Sequence, residues 1–373
     1  MEVFMGISQN SDVLIIGGGV IGLSIARELH KTGVRQITVV DRSNCGTESS
    51  WAAGGMLGPQ AEADEFGEFY RFCSDSRDLY PAFAAELLDE TGIDIELDQT
   101  GTLYLALDDD DAVALDHRLT IQRSAGLNIE YLSPADTRKA EPFVSPDVRG
   151  SLYFKDDWQV DNRKLLTALR RYAELNGIKV TENCTVENLI VENGKVVGVS
   201  TANGVIRANE TVLAGGAWSS MIAAPEVDLG FAMTPIRGQM ICYRTAKQLF
   251  GHVIYSRRGY LVPRHDGRIL AGSTSEKVGF SKGTTDEGVA FLRMMAEEIA
   301  PSLSGLEPFD RWSGLRPMAN DAFPVIERVK DLEGLIAATG HYRNGILLAP
   351  ITANLVAQII ERKGSESVAA TTS

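Results

Sequence analysis

The sequence predicts an α/β protein with a Rossmann-like dinucleotide-binding domain, built from separated segments, and a second, sheet-rich α+β domain. Three observations predict this class. An apolar strand at residues 11–16 runs into a glycine turn and a helix, and a second strand ends at Asp41. Two later strands, near residues 210–214 and 335–339, also run into glycines. A second strand-to-glycine junction can face the same ligand from another direction.

The first glycine turn carries the strongest motif. Gly17 allows a tight turn, Gly19 lets the backbone approach a pyrophosphate, and Gly22 lets the helix pack on the strand. The helix that begins at Val20 and Ile21 presents free N–H groups and the positive end of its dipole to the phosphates. By itself this motif does not separate one dinucleotide from another.

The second strand and the loop after it complete this first unit. The carboxylate of Asp41 can accept hydrogen bonds from ribose hydroxyls, and Arg42 follows it directly. The next stretch is too polar and glycine-rich for a core element, so we expect it to lie against the ligand. Its candidate cofactor-binding residues are Ser49, Ser50, Ala53, Gly54, Gly55 and Met56.

The remaining elements follow from apolar spacing and turn residues. The predicted elements of the first half are a helix at 65–91 with a kink at Pro81, a strand at 100–107, a solvated acidic turn at 108–111, a helix at 162–176, a meander of strands at 180–205 that contains Val186, and the glycine junction of Gly215 and Trp218. Those of the second half are strands at 238–244, 252–256, 258–263 and 268–273, a helix at 286–300, a strand at 335–340, a turn at 341–345 and a helix at 346–362.

These elements divide into two interleaved domains. The predicted nucleotide domain comprises residues 11–90, 150–230 and 311–363. The predicted substrate domain comprises residues 91–149 and 231–310, and crevices between such domains are common ligand sites. The two ends, residues 1–10 and 364–373, are predicted to be flexible.

Composition excludes several classes of function. The chain has 373 residues and a net charge of −14, which argues against a surface that binds nucleic acid. No apolar run reaches the length of a membrane span, and the first ten residues lack a signal-peptide pattern. The four cysteines have no CxxC spacing, which favours reduced thiols in a cytoplasmic protein.

No constellation of catalytic side chains is evident in the sequence. The five histidines are too dispersed to predict a metal site, and there is no Ser-His-Asp order or Walker loop. We therefore expect no residue to act as an acid or base, and we expect the chemistry to reside on the cofactor. Arg264 is predicted to be an ordinary charged residue at a strand end.

Five motifs together resemble a known family. They are the turn at 17–22, the loop at 48–56, Ala-Gly-Gly-Ala-Trp-Ser at 214–219, Trp-Ser-Gly-Leu-Arg-Pro at 312–317 and Thr-Gly-His-Tyr-Arg-Asn-Gly-Ile at 339–346. In this order they resemble the FAD-dependent D-amino-acid oxidase superfamily over nearly the whole chain. The last two motifs look like those of glycine oxidases, which feed thiazole formation in thiamine biosynthesis. The resemblance implies a Rossmann-like FAD-binding domain and a sheet-rich substrate domain.

The resemblance also implies roles for individual residues. Arg316 is expected to hold a substrate carboxylate through two parallel hydrogen bonds, and the alternative is a structural ion pair. Tyr260 resembles a tyrosine that assists the carboxylate, although a core tyrosine is nearly as consistent with its strand. Arg343 matches a position of the same pocket, and Ser275 stands where part of the family carries a larger apolar side chain. The turn that opens the last helix is expected to face the flavin through His341, Arg343, Asn344, Gly345, Ile346 and Leu347.

The reaction implied is hydride transfer from the substrate α-carbon to flavin N5, with dioxygen reoxidising the flavin to give hydrogen peroxide. The expected substrates are glycine, sarcosine or small D-amino acids. Because Met318 follows the Arg-Pro motif where some relatives have a cysteine, FAD is expected to be non-covalent. The family often forms homotetramers, so a homo-oligomer without membrane or nucleic-acid partners is expected.

Three other functions are weighed against this one. The nearest is an amino-acid dehydrogenase of the same superfamily that passes electrons to a quinone, although no basic amphipathic helix is visible. A non-catalytic FAD-binding or tRNA-modifying subunit would need a basic patch. An NAD-dependent dehydrogenase would leave the motifs of Arg316 and Arg343 unexplained.

Overall fold

The computed structural model describes residues 9–63, 65–222, 227–321 and 323–371, with only the backbone of residues 363–371. The α-helices are α1 (Val20–Lys31), α2 (Ser49–Ala52), α3 (Pro59–Glu62), α4 (Glu68–Thr91), α5 (Asp109–Ser124), α6 (Pro134–Ala140), α7 (Asn162–Leu175), α8 (Asp286–Ile299) and α9 (Ala349–Thr371). Short 3₁₀ helices span Gly216–Met221 and Pro301–Leu303.

The strands form two large sheets and a small ribbon. In chain order they are β1 (Gln9–Ile16), β2 (Ile37–Val40), β3 (Met56–Leu57), β4 (Thr102–Ala106), β5 (Glu130–Leu132), β6 (Gly150–Phe154), β7 (Trp158–Gln159), β8 (Lys179–Thr181), β9 (Val186–Glu192), β10 (Lys195–Thr201), β11 (Gly204–Leu213), β12 (Thr234–Arg244), β13 (Val253–Ser256), β14 (Gly259–Pro263), β15 (Arg268–Gly272), β16 (Asp310–Met318), β17 (Val325–Arg328) and β18 (Leu335–Thr339).

The first sheet has the order β17-β18-β11-β1-β2-β8. The pairs from β18 to β8 are parallel, β17 runs antiparallel to β18, and β9 and β10 extend β11 as antiparallel strands. Parallel strands end at the same edge, so the glycine turns after β1, β11 and β18 lie together there. This arrangement confirms the predicted Rossmann-like class.

Helices cover one face of this sheet, and a meander of strands covers the other. Alternate residues of β1 point to opposite sides, with Val13 and Ile15 in one buried cluster and Leu14 and Ile16 in another. The first cluster also contains residues of α1 and α9, and the second is covered by the meander of β9 and β10. Burial on both faces explains why the last four residues of β1, Val13 to Ile16, are all apolar.

The second sheet has the order β16-β12-β15-β14-β13-β4-β6-β5. Its pairs are antiparallel except for β13 with β4. Helix α8 packs on one face through Leu292, Met295 and Ile299, which belong to the buried cluster of this sheet. The other face contributes Met240 and Tyr260 to a separate cluster, which includes Ala52 of the first unit.

Several predicted boundaries differ from the structure. Strands β6 and β16 pair within the second sheet, so the domain boundaries at 150 and 311 divide that sheet, and the division of the chain stays a prediction. Helix α9 begins at Ala349 because Pro350 favours the first turn of a helix, and it continues to Thr371, beyond the predicted end at 362. The flexibility of residues 364–373 stays a prediction. The sequence from 364 to 373 contains three Ser, two Ala, two Thr and one Glu, of which Ala and Glu favour a helix.

The two ends and the acidic turn also need correction. Gln9 and Asn10 belong to β1, while residues 1–8 and 372–373 of the predicted flexible ends lie outside the described residues. The acidic turn at 108–111 is not a solvated loop. The Asp108 side chain caps α5 by accepting from the N–H of Asp111, and Asp111 is buried against Arg258.

Candidate functional site

A cavity of about 470 Å³ lies where the carboxyl edge of the first sheet meets β12, β14 and β16 of the second. Nearly all the residues predicted from the sequence line it. They are Gly17, Gly19, Val20, Ile21, Asp41, Arg42, Ser49, Ser50, Ala53, Gly54, Gly55, Met56, Val186, Gly215, Trp218, Tyr260, Arg316, His341, Arg343, Asn344, Gly345 and Ile346. The fold therefore gathers separated segments of the chain around one space.

The glycine turn after β1 is shaped by close backbone contacts. Gly17 has a φ of +112°, and a Cβ atom there would lie 2.3 Å from the carbonyl oxygen of Ala214. Gly19 is the N-cap residue of α1 and provides no side-chain cap. The N–H of Val20 donates to the hydroxyl of Ser50 at 3.1 Å, which leaves the other N–H groups of the first turn for a ligand. Gly22 does not line the cavity, because it packs on the carbonyl of Gly17, as its predicted packing role requires.

Asp41 stabilises this turn from the end of β2. One carboxylate oxygen accepts a hydrogen bond from the N–H of Gly18 at 2.8 Å, and the other accepts from the N–H of Ser43 at 2.9 Å. A carboxylate has about four lone-pair positions, so these bonds leave acceptor capacity toward the cavity. The role of Asp41 in binding ribose hydroxyls stays a prediction.

Arg42 and Trp218 form one edge of the cavity. The guanidinium carbon of Arg42 lies 3.7 Å from the centroid of the Trp218 ring, a cation–π contact. Glu48 accepts hydrogen bonds from Arg42 at 2.6 Å and from Lys282 at 2.8 Å. These contacts join the loop at 42–48 to Lys282, which precedes α8 in the chain.

Arg264 holds the loop at 54–56 in place. Its side chain is buried, and its guanidinium donates to the carbonyl of Gly54 at 2.8 Å and to the side chain of Gln159 at 2.7 Å. Burial lowers its pKa to about 10. The prediction of an ordinary charged residue at a strand end is therefore wrong, because β14 runs into the interior at this point. Only glycine fits at this position, because the φ of Gly55 is +76° and an added Cβ would lie 2.1 Å from the carbonyl oxygen of Val160.

The segment at 338–346 closes the cavity on a third side. His341 is buried, and its Nε2 atom lies 3.0 Å from the hydroxyl of Thr352 in α9. Burial lowers the pKa of His341 to about 3, so the imidazole is neutral at physiological pH. Residues 346–348 form turns ahead of α9, so the helix itself begins later than predicted. Leu347 lies outside the cavity, in the buried cluster beneath α4.

Arg316 projects from β16 into the cavity. Its guanidinium donates to the hydroxyl of Ser273 at 2.5 Å and to the carbonyl of Thr274 at 3.2 Å. No carboxylate of the described residues lies within ion-pair distance, so the structural ion pair does not account for this cation. Gly238 gives the side chain its room, because a Cβ there would lie 2.4 Å from the guanidinium.

Arg343 and Tyr260 stand near Arg316 but are held differently. Arg343 donates to Glu62 at 3.2 Å and to the hydroxyl of Tyr255 at 3.1 Å. The charge of Glu62 raises the pKa of Arg343, and burial raises the pKa of Tyr255, so the cation and the neutral phenol persist together. The Tyr260 hydroxyl lies 3.4 Å from the sulfur of Met240 and its ring stacks on Tyr255.

Ser275 is the remaining predicted site residue outside the cavity. It follows Ser273 and Thr274, which contact Arg316 directly. Sequence reasoning missed Glu62, Gly238, Met240 and Gly314, all of which line the cavity. The two glycines could have been found, since a glycine inside a strand often marks a close approach. Glu62 stands in an acidic stretch and carries no such signal.

The described residues contain no group of three His, Cys, Asp or Glu side chains that could hold a metal ion. Within the same part of the chain, no helix combines the length and apolar character that a membrane span requires. The cavity therefore fits an organic ligand with phosphates near α1 and an acidic group near Arg316.

Comparison with known proteins identifies that ligand. The family model described as FAD dependent oxidoreductase matches residues 12–359. The chain belongs to the FAD dependent oxidoreductase family. FAD is its cofactor, and the structure fits it: the cradle of Gly17, the open first turn of α1 and the polar end at Asp41 suit a dinucleotide.

Curated proteins and solved structures place the chain more closely within this FAD dependent oxidoreductase family. It is 36% identical over 349 residues to a glycine oxidase of Pseudomonas aeruginosa, covering 93% of this chain and 94% of that protein. It is 36% identical to the bifunctional protein ThiO/ThiG of Nostoc sp., covering 95% of this chain and 53% of that protein. The crystal structure of glycine oxidase from Geobacillus kaustophilus superposes with a TM-score of 0.89 at 32% identity, covering 95% of each chain.

Proposed function

We propose that the protein oxidises glycine, and other small amines such as sarcosine or small D-amino acids, with dioxygen as the electron acceptor. The observation that carries this proposal is Arg316, a guanidinium without a carboxylate partner among the described residues, on the wall of the FAD cavity. A cation placed in this way needs an anionic ligand, and the carboxylate of an amino acid pairs with it in two parallel hydrogen bonds.

The other side chains of this end restrict and orient the substrate. Tyr260 and Met240 narrow the space beside Arg316. Glu62 neutralises Arg343, so among the described residues at this end of the cavity Arg316 is the cation left for a carboxylate. When bound, FAD would supply the redox chemistry by accepting two electrons from the substrate in the form of a hydride and passing them to dioxygen. We assign no side chain as an acid or base, because holding the carboxylate already orients the α-hydrogen.

The products follow from the balance of the reaction. Glycine loses a hydride and a proton to give an imino acid, and dioxygen takes up the two electrons and two protons as hydrogen peroxide. Water then converts the imine into a 2-oxo acid and ammonia. Since a ThiO/ThiG protein joins a similar sequence to a further part, we propose that the imino acid serves thiazole synthesis for thiamine.

Anaerobic spectroscopy of the purified holoenzyme tests this function. The yellow protein should lose its absorbance with glycine, regain it in air and release hydrogen peroxide and glyoxylate. A protein that stays yellow with every small amine would contradict the proposal. Fast reduction of a quinone with slow reoxidation by dioxygen would instead support the dehydrogenase of the same superfamily.

The binding mode and assembly are part of the same proposal. FAD is expected to be non-covalent, so acid precipitation should leave it in the supernatant, and flavin in the protein pellet would contradict this. A cytoplasmic homotetramer is the expected form, because the family that the chain resembles often forms homotetramers. The acidic chain has no clustered basic patch, which argues against binding to a membrane surface or nucleic acid. Light scattering of the purified protein measures the oligomeric state directly.

A further inference from the structure

The short helix α3 forms a wall of the cavity with both of its ends. Gly58 precedes it, Glu62 ends it, and both line the cavity. Glu62 is also the residue that pairs with Arg343. A single helical turn is not stable by itself in water, because it makes too few internal hydrogen bonds. The position of α3 must therefore be set by other parts of the chain.

The amino end of α3 is held by Asp157. The N-cap residue Gly58 has no side chain to cap the helix, and the carboxylate of Asp157 takes this role from the turn between β6 and β7. It accepts hydrogen bonds from the N–H of Gln60 at 3.0 Å and of Ala61 at 2.7 Å. These are donors that a helix start leaves unpaired.

The carboxyl end of α3 is held by Arg118 of α5. Its guanidinium donates to the carbonyl of Gln60 at 3.1 Å and to the carbonyl of Ala63 at 2.9 Å, directly after Glu62. The side chain of Gln122 adds a bond to the carbonyl of Gln60 at 3.1 Å. An acid at the start and a guanidinium at the end thus satisfy the backbone groups that one turn cannot satisfy itself.

We propose that Asp157 and Arg118 are positioning residues, which fix α3 so that Glu62 meets Arg343 and the cavity admits only small amines. Neither residue lines the cavity, so each acts through α3. The inference rests on the proposed oxidation of small amino acids. It deepens that function by assigning substrate selection to two residues outside the site.

The environment of Asp157 supports its role in holding α3. Its side chain is fully buried, and burying an unpaired carboxylate would cost free energy of folding. The two backbone N–H donors offset that cost by hydrogen bonding to the carboxylate. Burial raises the pKa of Asp157 to about 7, while the bonds from the backbone oppose the rise. The charged or titratable side chains that act on it from neighbouring elements are Glu62, Tyr70 and Arg77. Protonation near neutral pH would weaken one of the two bonds to α3.

Hydrogen exchange of the holoenzyme tests the contact itself. In Asp157→Asn the amide NH₂ faces one backbone donor, so one hydrogen bond is lost. The Gln60 and Ala61 amides should then exchange about tenfold faster than in the wild type at pH 8. The matched control is Asp156→Asn, which removes the same charge one residue away. Equal exchange in the two variants would overturn the proposal.

Ligand binding and kinetics test the positioning role. Asp157→Asn should raise KM for glycine about tenfold, with kcat within about twofold of the wild type, and should raise the relative kcat/KM for sarcosine. Glycolate, a two-carbon carboxylate without an amine, probes the site by the change in flavin absorbance. Its Kd should rise in the wild type between pH 8 and pH 6 and should stay level in Asp157→Asn.

Further outcomes separate the two proposals. Faster exchange with unchanged KM and unchanged amine preference would overturn the positioning role while leaving the function intact. If Asp157→Asn does not fold, Arg118→Lys decides, because it keeps the charge but weakens the contacts to two carbonyls, and the same changes are expected at smaller size. If the wild type binds neither glycine nor glycolate, the proposed function fails, and the exchange of α3 still tests the contact.

Discussion

The two ends of the cavity are lined by different kinds of groups. The end near Asp41 is lined largely by backbone, through glycine turns after β1 and β11 that approach each other within van der Waals contact. The end near Arg316 is lined by charged and aromatic side chains, namely Arg343, Glu62 and Tyr260. The shape of the first end depends on glycines, which have no side chain. The shape of the second end depends on the side chains that line it.

Because of this difference, we expect substitutions at the two ends to have different effects. At the glycine end, an added methyl group meets backbone that cannot move away, so the loss is steric and affects the cofactor. At the Arg316 end, we expect a changed side chain to leave the cofactor in place and to affect only the proposed substrate. Binding of FAD and turnover of the substrate should therefore separate cleanly between variants of the two ends.

The largest expected effect is at the glycine end. Gly17→Ala places a Cβ at 2.3 Å from the carbonyl oxygen of Ala214, in a backbone conformation that disfavours side chains. We expect the purified variant to contain less than about a tenth of the FAD of the wild type, measured by the absorbance ratio at 450 and 280 nm.

A matched control is Gly33→Ala. Gly33 has a similar φ of +101°, but nothing lies within 4 Å of an added Cβ. This variant should keep its FAD, since it has the backbone strain without the clash. Equal loss of FAD in both variants would show that strain alone explains the effect.

The second effect is at the Arg316 end. Arg316→Lys keeps the charge but loses the planar pair of donors, so kcat/KM for glycine should fall on the order of 100-fold. The flavin spectrum should stay that of the wild type, because the glycine end is untouched. Steady-state oxygen consumption measures the loss.

Arg311→Lys is the control, since Arg311 lies exposed on the same strand β16. Its kinetics should equal those of the wild type. Unchanged kinetics in Arg316→Lys itself would remove Arg316 from the substrate site.

The smallest effect concerns His341, which lies where the two ends meet. Its pKa in the folded protein is lowered to about 3, while in the unfolded chain it has its ordinary value near 6.5. The folded state thus binds fewer protons between these values, so stability is lost as pH falls through this window, by at most about 1.4 kcal/mol per pH unit.

Urea unfolding with saturating FAD at pH 7 and pH 5.5 measures this loss. His341→Gln should lose less stability than the wild type over this interval. The interpretation is wrong if His341→Gln loses as much stability as the wild type.

Much of the cofactor end could be predicted from the sequence, because its signal is local. Gly17, Gly19 and Gly22 stand at fixed spacing after an apolar run, and their roles follow from one turn of the chain. Arg316 could also be predicted, through the resemblance carried by the motif around it.

Glu62, Arg264 and Asp157 could not be predicted in this way. Asp157 meets α3 about a hundred positions away in sequence, and Arg264 meets the loop at Gly54 at twice that separation. No local sequence pattern distinguishes a buried Asp, Glu or Arg from an exposed one. Their roles depend on burial, which is a property of the assembled sheets.

The fold class, the cofactor turn and the candidate residues follow from the amino-acid sequence, because hydrophobic periodicity, glycine spacing and charge are properties of neighbouring residues. The folded chain shows, beyond what the sequence indicates, that Arg316 has no acidic partner among the described residues while Arg343 has Glu62. It also shows that a distant acid caps α3. Electrostatic pairing is a matter of distance in space, and the chain sets those distances only when both sheets have formed.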